Sequence, residues 1–540
     1  MPHSLPLPPP ADAPNLRPVR PTVLAVLLAA AAVAPAEDAP VAVPGLGPAT
    51  AEVLVADPRW VRDQLAMVAG AAGSDPAPVT VLAARTLLRL GGLDNIDLGR
   101  PAALWLRDGA TDLALLLPVQ RRSKVVDELG LAADGRSPLV RTGDRDGTVV
   151  LTQSTADGLV EYRALAVEGW LALARTADES CRLAGRAAAL APEGAPLRIT
   201  LDPSRLAGAW SRLGLPVEQR WIPERMRLPA LPLPGETLPG PGSEAWSALL
   251  AQIATIRIEV APWGGPGDPE AQGRWRVAIT VRPLADSPLA AWLSVQRPAA
   301  DRLGPALDTP STWFLAAFYP VWQGQAERIV SGPLAAASAT AGFAWDARAG
   351  EGATALAAGA DRSGGIALAE DAGGGLLLVE HGSAPSLAVA LGDVLTPLLG
   401  APRTTAVAGV TGVLHSGTTA RLTFGTDGAL IHAWAMDPAA LTPAGERAAT
   451  AALASPPPGQ GGVLGRVRVR IDRLLRPVVA AQRGATVEMP EAEIVADVTV
   501  RDGDLVVDAD IPATAIAGAI GALELGPRPR PSGDRTPGKR

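Results

Sequence analysis

Apolar and polar positions alternate with a period of two at five places in the chain. Ile256, Ile258 and Val260 alternate with Arg257 and Glu259, and Val277, Ile279 and Val281 are framed by Arg276 and Arg282. Much later, Val467, Val469 and Ile471 alternate with Arg466, Arg468 and Arg470. Ile494, Ala496, Val498 and Val500 then alternate with Val495, Asp497, Thr499 and Arg501, and Leu505, Val507, Ala509 and Ile511 return after Asp502-Gly503. A period of two predicts half-buried antiparallel strands, and Asp-Gly between two of them predicts a hairpin turn.

Further strands are expected at 52–56, 102–106, 112–118, 139–142, 148–152, 159–167, 170–174 and 197–201. Helices are expected at 58–69, where Pro58 suits a first turn, and at 78–90, 121–129 and 243–253. Thr176 and Glu179 form a capping box that opens a helix to about residue 189.

The same landmarks recur. Asp157-Gly158 precedes Asp202 by 45 residues, and Asp427-Gly428 precedes Asp472 by 45. Pro58-Arg59-Trp60 is matched by Pro320-Val321-Trp322, and each is followed by a leucine run, at Leu115 and at Leu376. On this alignment His432 answers to Tyr162. The recurrence predicts an α+β fold of two similar lobes, each a curved antiparallel sheet with helices on one face. Lobe 1 is expected over 49–296, with a Pro-rich insertion at 215–243, and lobe 2 over 311–525. Residues 37–48 and 297–310 are expected to be linkers, and 526–540 a disordered basic tail.

Residues 1–36 have the pattern of an export signal: Arg17 and Arg20, an apolar run from Thr22 to Val33, and Ala34-Pro35-Ala36 as a cleavage site. The run is short for a bilayer span, so the mature chain is expected to have no integral membrane span. A single cysteine, Cys181, excludes an internal disulfide. Lys occurs only at Lys124 and Lys539, and the remaining basic residues are Arg, as a GC-rich bacterial genome favours. The net charge of −7 argues against nucleic acid as a partner. The chain is therefore expected in the periplasm or outside the cell.

This organisation resembles a group of uncharacterised secreted bacterial proteins of unknown function with a duplicated α+β domain. The similar strings are Asp57-Pro58-Arg59-Trp60, Ile96-Asp97-x-x-Arg100-Pro101 and Leu117-Pro118-Val119, mainly within 50–210. The resemblance carries no activity and no catalytic residues, and lobe 2 departs from it with Val379 in place of Pro118.

Candidate chemistry is sparse. His381, His415 and His432 form no H-x-x-x-H or H-E-x-x-H pattern and are expected to be structural. Asp497, Asp502, Asp504, Asp508 and Asp510 do not have calcium-loop spacing, and cross-strand pairing with Arg466, Arg468 and Arg470 is expected instead. No catalytic residue, metal ligand or cofactor is assigned. The expected function is a non-catalytic envelope protein that binds a ligand or a partner protein, with Trp210, Trp221, Trp263 and Trp275 the residues to watch, although core packing explains them as well. A secreted hydrolase assembled from distant loops and a structural envelope scaffold are the alternatives.

Overall fold

The computed structural model describes residues 42–43, 47–71, 95–107, 112–120, 140–155, 158–187, 190, 194–203, 205, 251–263, 273–321, 351–352, 354–355, 358–359, 364–371, 374–407, 409–416, 419–452, 462–474 and 491–516. The helices expected at 78–90 and 121–129, the insertion at 215–243, the export signal and the basic tail lie outside these residues.

The first half contains β1 (Ala42–Val43), β2 (Gly47–Pro48), β3 (Ala51–Val55), α1 (Pro58–Ala71), β4 (Ala102–Arg107), β5 (Asp112–Pro118), β6 (Val140–Arg145), β7 (Thr148–Thr155), β8 (Gly158–Val167), β9 (Trp170–Ala174), α2 (Ala177–Ala184), β10 (Leu197–Leu201), β11 (Ile253–Pro262), β12 (Arg274–Pro283) and α3 (Pro288–Val295). The second contains α4 (Leu303–Leu307), β13 (Phe314–Phe318), β14 (Ile366–Glu370), β15 (Gly374–Glu380), α5 (Ala384–Leu399), β16 (Arg403–Val407), β17 (Val410–His415), β18 (Ala420–Gly425), β19 (Ala429–Ala435), α6 (Leu441–Ala452), β20 (Gly465–Arg470), β21 (Glu493–Arg501) and β22 (Asp504–Pro512).

The class is α+β. Among the described residues, apart from the small β1–β2 hairpin, twenty strands form one antiparallel sheet. From one edge to the middle its order is β6-β7-β8-β9-β5-β4-β3-β10-β11-β12; from the other edge it is β16-β17-β18-β19-β15-β14-β13-β20-β21-β22. The two runs meet where β12 pairs with β22. Residues 297–310, expected as a linker, contain α4, whose Leu303 and Leu307 are buried in the second-half core. The edge strand β6 is exposed along its length, is rich in charge and has a register shift between Arg141 and Gly143. These features discourage further strand pairing.

Helices cover both faces of the sheet, which corrects the expectation of one. In the first half, α2 packs with Leu183 against Leu54, Ala103, Trp105, Leu116 and Ala172. On the opposite face, Val61 of α1 packs against the core of Val53, Leu104, Leu115 and Leu173. In the second half, Leu441 and Ala448 of α6 join Leu378, Phe424 and Ile431, whereas Ala384, Leu387 and Ala388 of α5 pack against Leu430 on the other face. The cause is in the strands that these helices cover. Trp170–Ala174, Ala420–Gly425 and Ala429–Ala435 are buried at every residue, and a strand buried on both faces needs cover on both.

Counting inward from the edges corrects the proposed landmarks. Asp157 lies between β7 and β8, the second and third strands from one edge, whereas Asp427 lies between β18 and β19, the third and fourth from the other. Tyr162 is on a third strand and His432 on a fourth, so they do not answer to one another. Leu115 and Leu376 do occupy corresponding strands, β5 and β15, and Asp202 and Asp472 each follow closely on the end of β10 or β20. The helix expected over 243–253 has given way to β11 by Ile253. The helix opened by Thr176 has both bonds of its capping box and stops at Ala184 rather than near residue 189.

Candidate functional site

A cavity of about 190 Å³ opens between α4 and the paired strands β13 and β20. Its position follows from the register. Leu315 on β13 lies opposite Arg468 on β20, and Ala317 lies opposite Arg466, so these four share one sheet face. Leu303 and Leu307 anchor α4 in the core of that face. The cavity is lined by Asp301, Gly304, Asp308, Leu315, Arg466 and Arg468, among others.

Asp301 is the deepest polar group, with 1% of its surface exposed. Its Oδ1 accepts the Gly304 N–H at 2.9 Å and the Tyr319 hydroxyl at 3.0 Å. The Tyr319 oxygen in turn accepts the N–H groups of Arg302 and Leu303, at 2.8 and 2.9 Å. Burial pushes the Tyr319 hydroxyl well above its ordinary range, so it stays a neutral donor. Asp301 Oδ2 accepts no hydrogen bond. Gly304 makes room for it, since a Cβ there would lie 2.5 Å from Oδ2.

Arg466 faces this oxygen. Asp497 on the neighbouring β21 takes its Nε at 2.6 Å and its Nη2 at 2.9 Å, and this pair raises the affinity of the guanidinium for its proton. The third nitrogen, Nη1, lies 3.9 Å from Asp301 Oδ2. At the other wall, Asp308 binds both Arg468 and Arg470. Carboxylate and guanidinium therefore already compensate one another. A further full charge placed between Asp301 and Arg466 would be repelled by one and attracted by the other to about the same extent, roughly 4 kcal/mol each at ~4 Å and an effective dielectric constant near 20.

The histidines lie elsewhere. Across β17, β18 and β19, His415 is paired with Arg421, Arg421 with Trp434, and Thr423 with His432. His415 and His432, far apart in sequence, thus share one sheet face with Arg421 and Thr423. His432 is buried, and its Nδ1 lies 2.8 Å from the Thr423 hydroxyl. Burial, helped by the charge of Arg421, lowers its pKa to about 3. Burial and Arg421 also lower that of His415, both of whose ring nitrogens lack a hydrogen-bond partner. A base so weakened is poorly matched to proton abstraction near neutral pH. His381 is set apart in a turn, where its Nδ1 accepts the Ser383 N–H at 2.9 Å.

The expected pairing of Arg466, Arg468 and Arg470 with the Asp cluster is present in one case of three, since Arg468 and Arg470 pair instead with Asp308 and Glu493. Arg466 pairs with Asp497, but Asp504, Asp508 and Asp510 pair with Arg282, Arg276 and Arg274 across the β12–β22 seam. Trp275 is buried, donates from Nε1 to Gln64 at 2.6 Å and lies 6.4 Å from Trp60. Trp263 receives the Arg274 guanidinium at 5.7 Å. Both are separated from the cavity by β22 and β21, and Trp210 and Trp221 lie outside the described residues. Sequence reasoning missed Asp301, Gly304 and Tyr319. The available signal was Asp301-x-x-Gly304, an aspartate spaced to accept the N–H of a glycine three residues on, just before an apolar turn.

No family model matches the chain, and no curated protein matches it. Among solved structures, one described as "Structure of crystal form I of TP0453" is similar over 42% of this chain and 98% of that chain, at 11% identity and a TM-score of 0.21. Likeness at that level carries no argument about fold or function. Among the described residues no helix is long and apolar enough to cross a membrane.

Proposed function

We propose that the chain is an exported, non-catalytic binding protein of a bacterial envelope, made of two similar α+β lobes at 49–296 and 311–525. The lobe reading is supported by the strand orders, which run through the same sequence of places from each edge to the β12–β22 seam. The binding reading rests on one observation: a cavity whose deepest carboxylate, Asp301, keeps an oxygen without a hydrogen-bond donor. Buried acceptors are seldom left unmet, and a cavity lined by charged and polar side chains is a natural place for a ligand.

The hydrolase reading has less support. The hydroxyl–imidazole pair of Thr423 and His432 is buried, and its base is weak. The scaffold reading is favoured by the seam, which ties the two halves into one sheet.

Native mass spectrometry of the mature chain purified from an envelope fraction tests the proposal. The expected result is a chain beginning at Glu37 that carries a reproducible small-molecule adduct, with the adduct lost in Asp301→Asn. A clean apo mass at every purification condition, with no ligand found by titration, would leave the scaffold reading in its place.

A further inference from the structure

The two edges of the long sheet are built differently. β6 carries Arg141, Asp144 and Arg145 and is interrupted by a register shift. β16, at the other edge, reads Arg403-Thr404-Thr405-Ala406-Val407 and pairs with β17 in one unbroken register. Charges and bulges blunt an edge, whereas a regular run with a single charge leaves it open to another strand. Among the described residues β16 pairs with β17 alone. The register also fixes which backbone groups are open. Val407 is paired with Val410, and Gly409 between them has a φ of +78°. Residues that flank a two-residue turn exchange both of their backbone bonds, and bonded pairs alternate from there. Val407, Thr405 and Arg403 therefore bond to β17, and the N–H and C=O of Thr404 and Ala406 point away from it. Both of these residues are exposed.

The strand is complementary to a second copy of itself. About a two-fold axis at Thr405, Thr404 lies opposite the second copy's Ala406, and each such pair exchanges backbone bonds in both directions. Thr405 meets Thr405, a favourable cross-strand pair, and Arg403 lies opposite Val407, so no like charges face each other. An apolar surface adjoins this edge. Gly392 of α5 lies over β17, where a Cβ would be 3.6 Å from Cγ1 of Val413, the residue paired with Thr404. Val389, one turn earlier on α5, is 59% exposed. The second copy brings its own Val389 and Ala406 to the same side of the joined sheet. We infer that two copies of the chain pair edge to edge, β16 antiparallel to β16, and continue one sheet across a two-fold axis. A two-fold contact of this kind uses the same patch on both copies and closes at the dimer.

Sedimentation velocity of the full chain over a range of concentrations is the test. The contact is short, so the expected result is a monomer–dimer equilibrium that moves with concentration. Ala406→Pro removes an N–H that points away from β17 and leaves the bonded pairs at Thr405 and Val407 in place. It should weaken the dimer at least tenfold with the melting temperature little changed. A second measurement reads the register. Thr405→Cys, in a chain whose free Cys181 is replaced by Ser, sets two thiols directly opposite one another across the axis, within the span of a disulfide. It should crosslink under mild oxidation, whereas Arg403→Cys in the same background faces the second copy's Val407 and should not. A chain that stays monomeric at every concentration overturns the inference, and an extended peptide found at β16 would then assign this edge to a different protein. A dimer that keeps its affinity in Ala406→Pro, or that crosslinks as readily through residue 403 as through residue 405, is joined by another surface or register and overturns it as well.

Discussion

Thr423 and His432 face each other across β18 and β19, with the hydroxyl oxygen 2.8 Å from Nδ1. The pair is enclosed by the sheet and by α5, which brings a single charged residue, Asp393, to this part of the molecule. The nearest cations on the same face are Arg421 and, when protonated, His415. His432 is therefore held neutral, its pKa lowered from 6.5 to about 3 by burial first and Arg421 second. The consequence for stability has a definite sign. Above pH 6.5 neither state takes a proton and the stability is fully present. As pH falls below 6.5 the unfolded chain protonates and the folded one does not, so stability drains away until about pH 3. The slope is on the order of 1 kcal/mol per pH unit for one such proton, and His415 adds to it with the same sign. Urea midpoints measured from pH 7 to pH 4 should fall steadily, and His432→Gln should flatten that fall whatever it does at pH 7. An unchanged slope in the variant would mean that His432 is not held neutral in the folded chain.

The indole of Trp434 lies across the backbone of Gly375, its neighbour on β15. A Cβ at Gly375 would come within 2.2 Å of Cζ2 and 2.4 Å of Cε2. Gly375→Ala must displace a large ring from a strand that is buried throughout, which should cost about 1–3 kcal/mol. Gly143 on the edge strand β6 is the control, because a Cβ there meets nothing within 4 Å. Gly143→Ala should stay within about 0.5 kcal/mol of the parent. Equal melting temperatures for the two variants would refute the packing described for Trp434.

Much of this fold could be read from local pattern, and what could not be read has physical reasons. The strands at Asp112–Pro118, Trp170–Ala174 and Leu197–Leu201 are bounded by turns and a capping box that leave little choice of end. The pairing of Arg466 with Asp497 was readable because two alternating strands display it. The landmark Asp-Gly misled because the string serves turns of more than one kind: neither Asp427 nor Gly428 has a positive φ, whereas other copies do. Asp146-Gly147 and Asp502-Gly503 adopt that conformation, as does Glu168-Gly169. A two-residue string set by turn geometry cannot identify one particular hairpin. Asp301 was passed over because Tyr319, just past β13, and Arg466, on β20, meet beside α4 only through the pairing of β13 with β20.

The seam between the halves is held by its apolar rows rather than by its ion pairs. Val277 lies opposite Ala509, Ile279 opposite Val507 and Val281 opposite Leu505, and Val277, Ile279, Val281 and Ala509 belong to the first-half core. On the other face Arg276 pairs with Asp508, but its side chain is 49% exposed. Asp508→Ala should therefore cost less than about 1 kcal/mol. Ile279→Ala removes a buried side chain and should cost about 2–5 kcal/mol. Chemical denaturation of both variants decides the matter. A larger loss from Asp508→Ala would mean that charge, not burial, joins the two halves.

Tyr319 gives a sharper test of the region around the cavity than any cavity residue does. Its hydroxyl donates to Asp301 Oδ1 and accepts two backbone N–H groups at the start of α4. Tyr319→Phe keeps the ring in the core and deletes all three bonds. The Arg302 and Leu303 amides then lose their acceptor, and Asp301 keeps only the Gly304 N–H on Oδ1. Unmet buried groups of this kind should cost about 1–3 kcal/mol. The loss should be local as well as global. Hydrogen exchange at the Leu303 and Gly304 amides should accelerate, whereas exchange at the first-half strands should change only as the global stability does. Protection unchanged at α4 would show that Asp301 alone holds the helix start, and Tyr319 would then have no part in positioning that carboxylate.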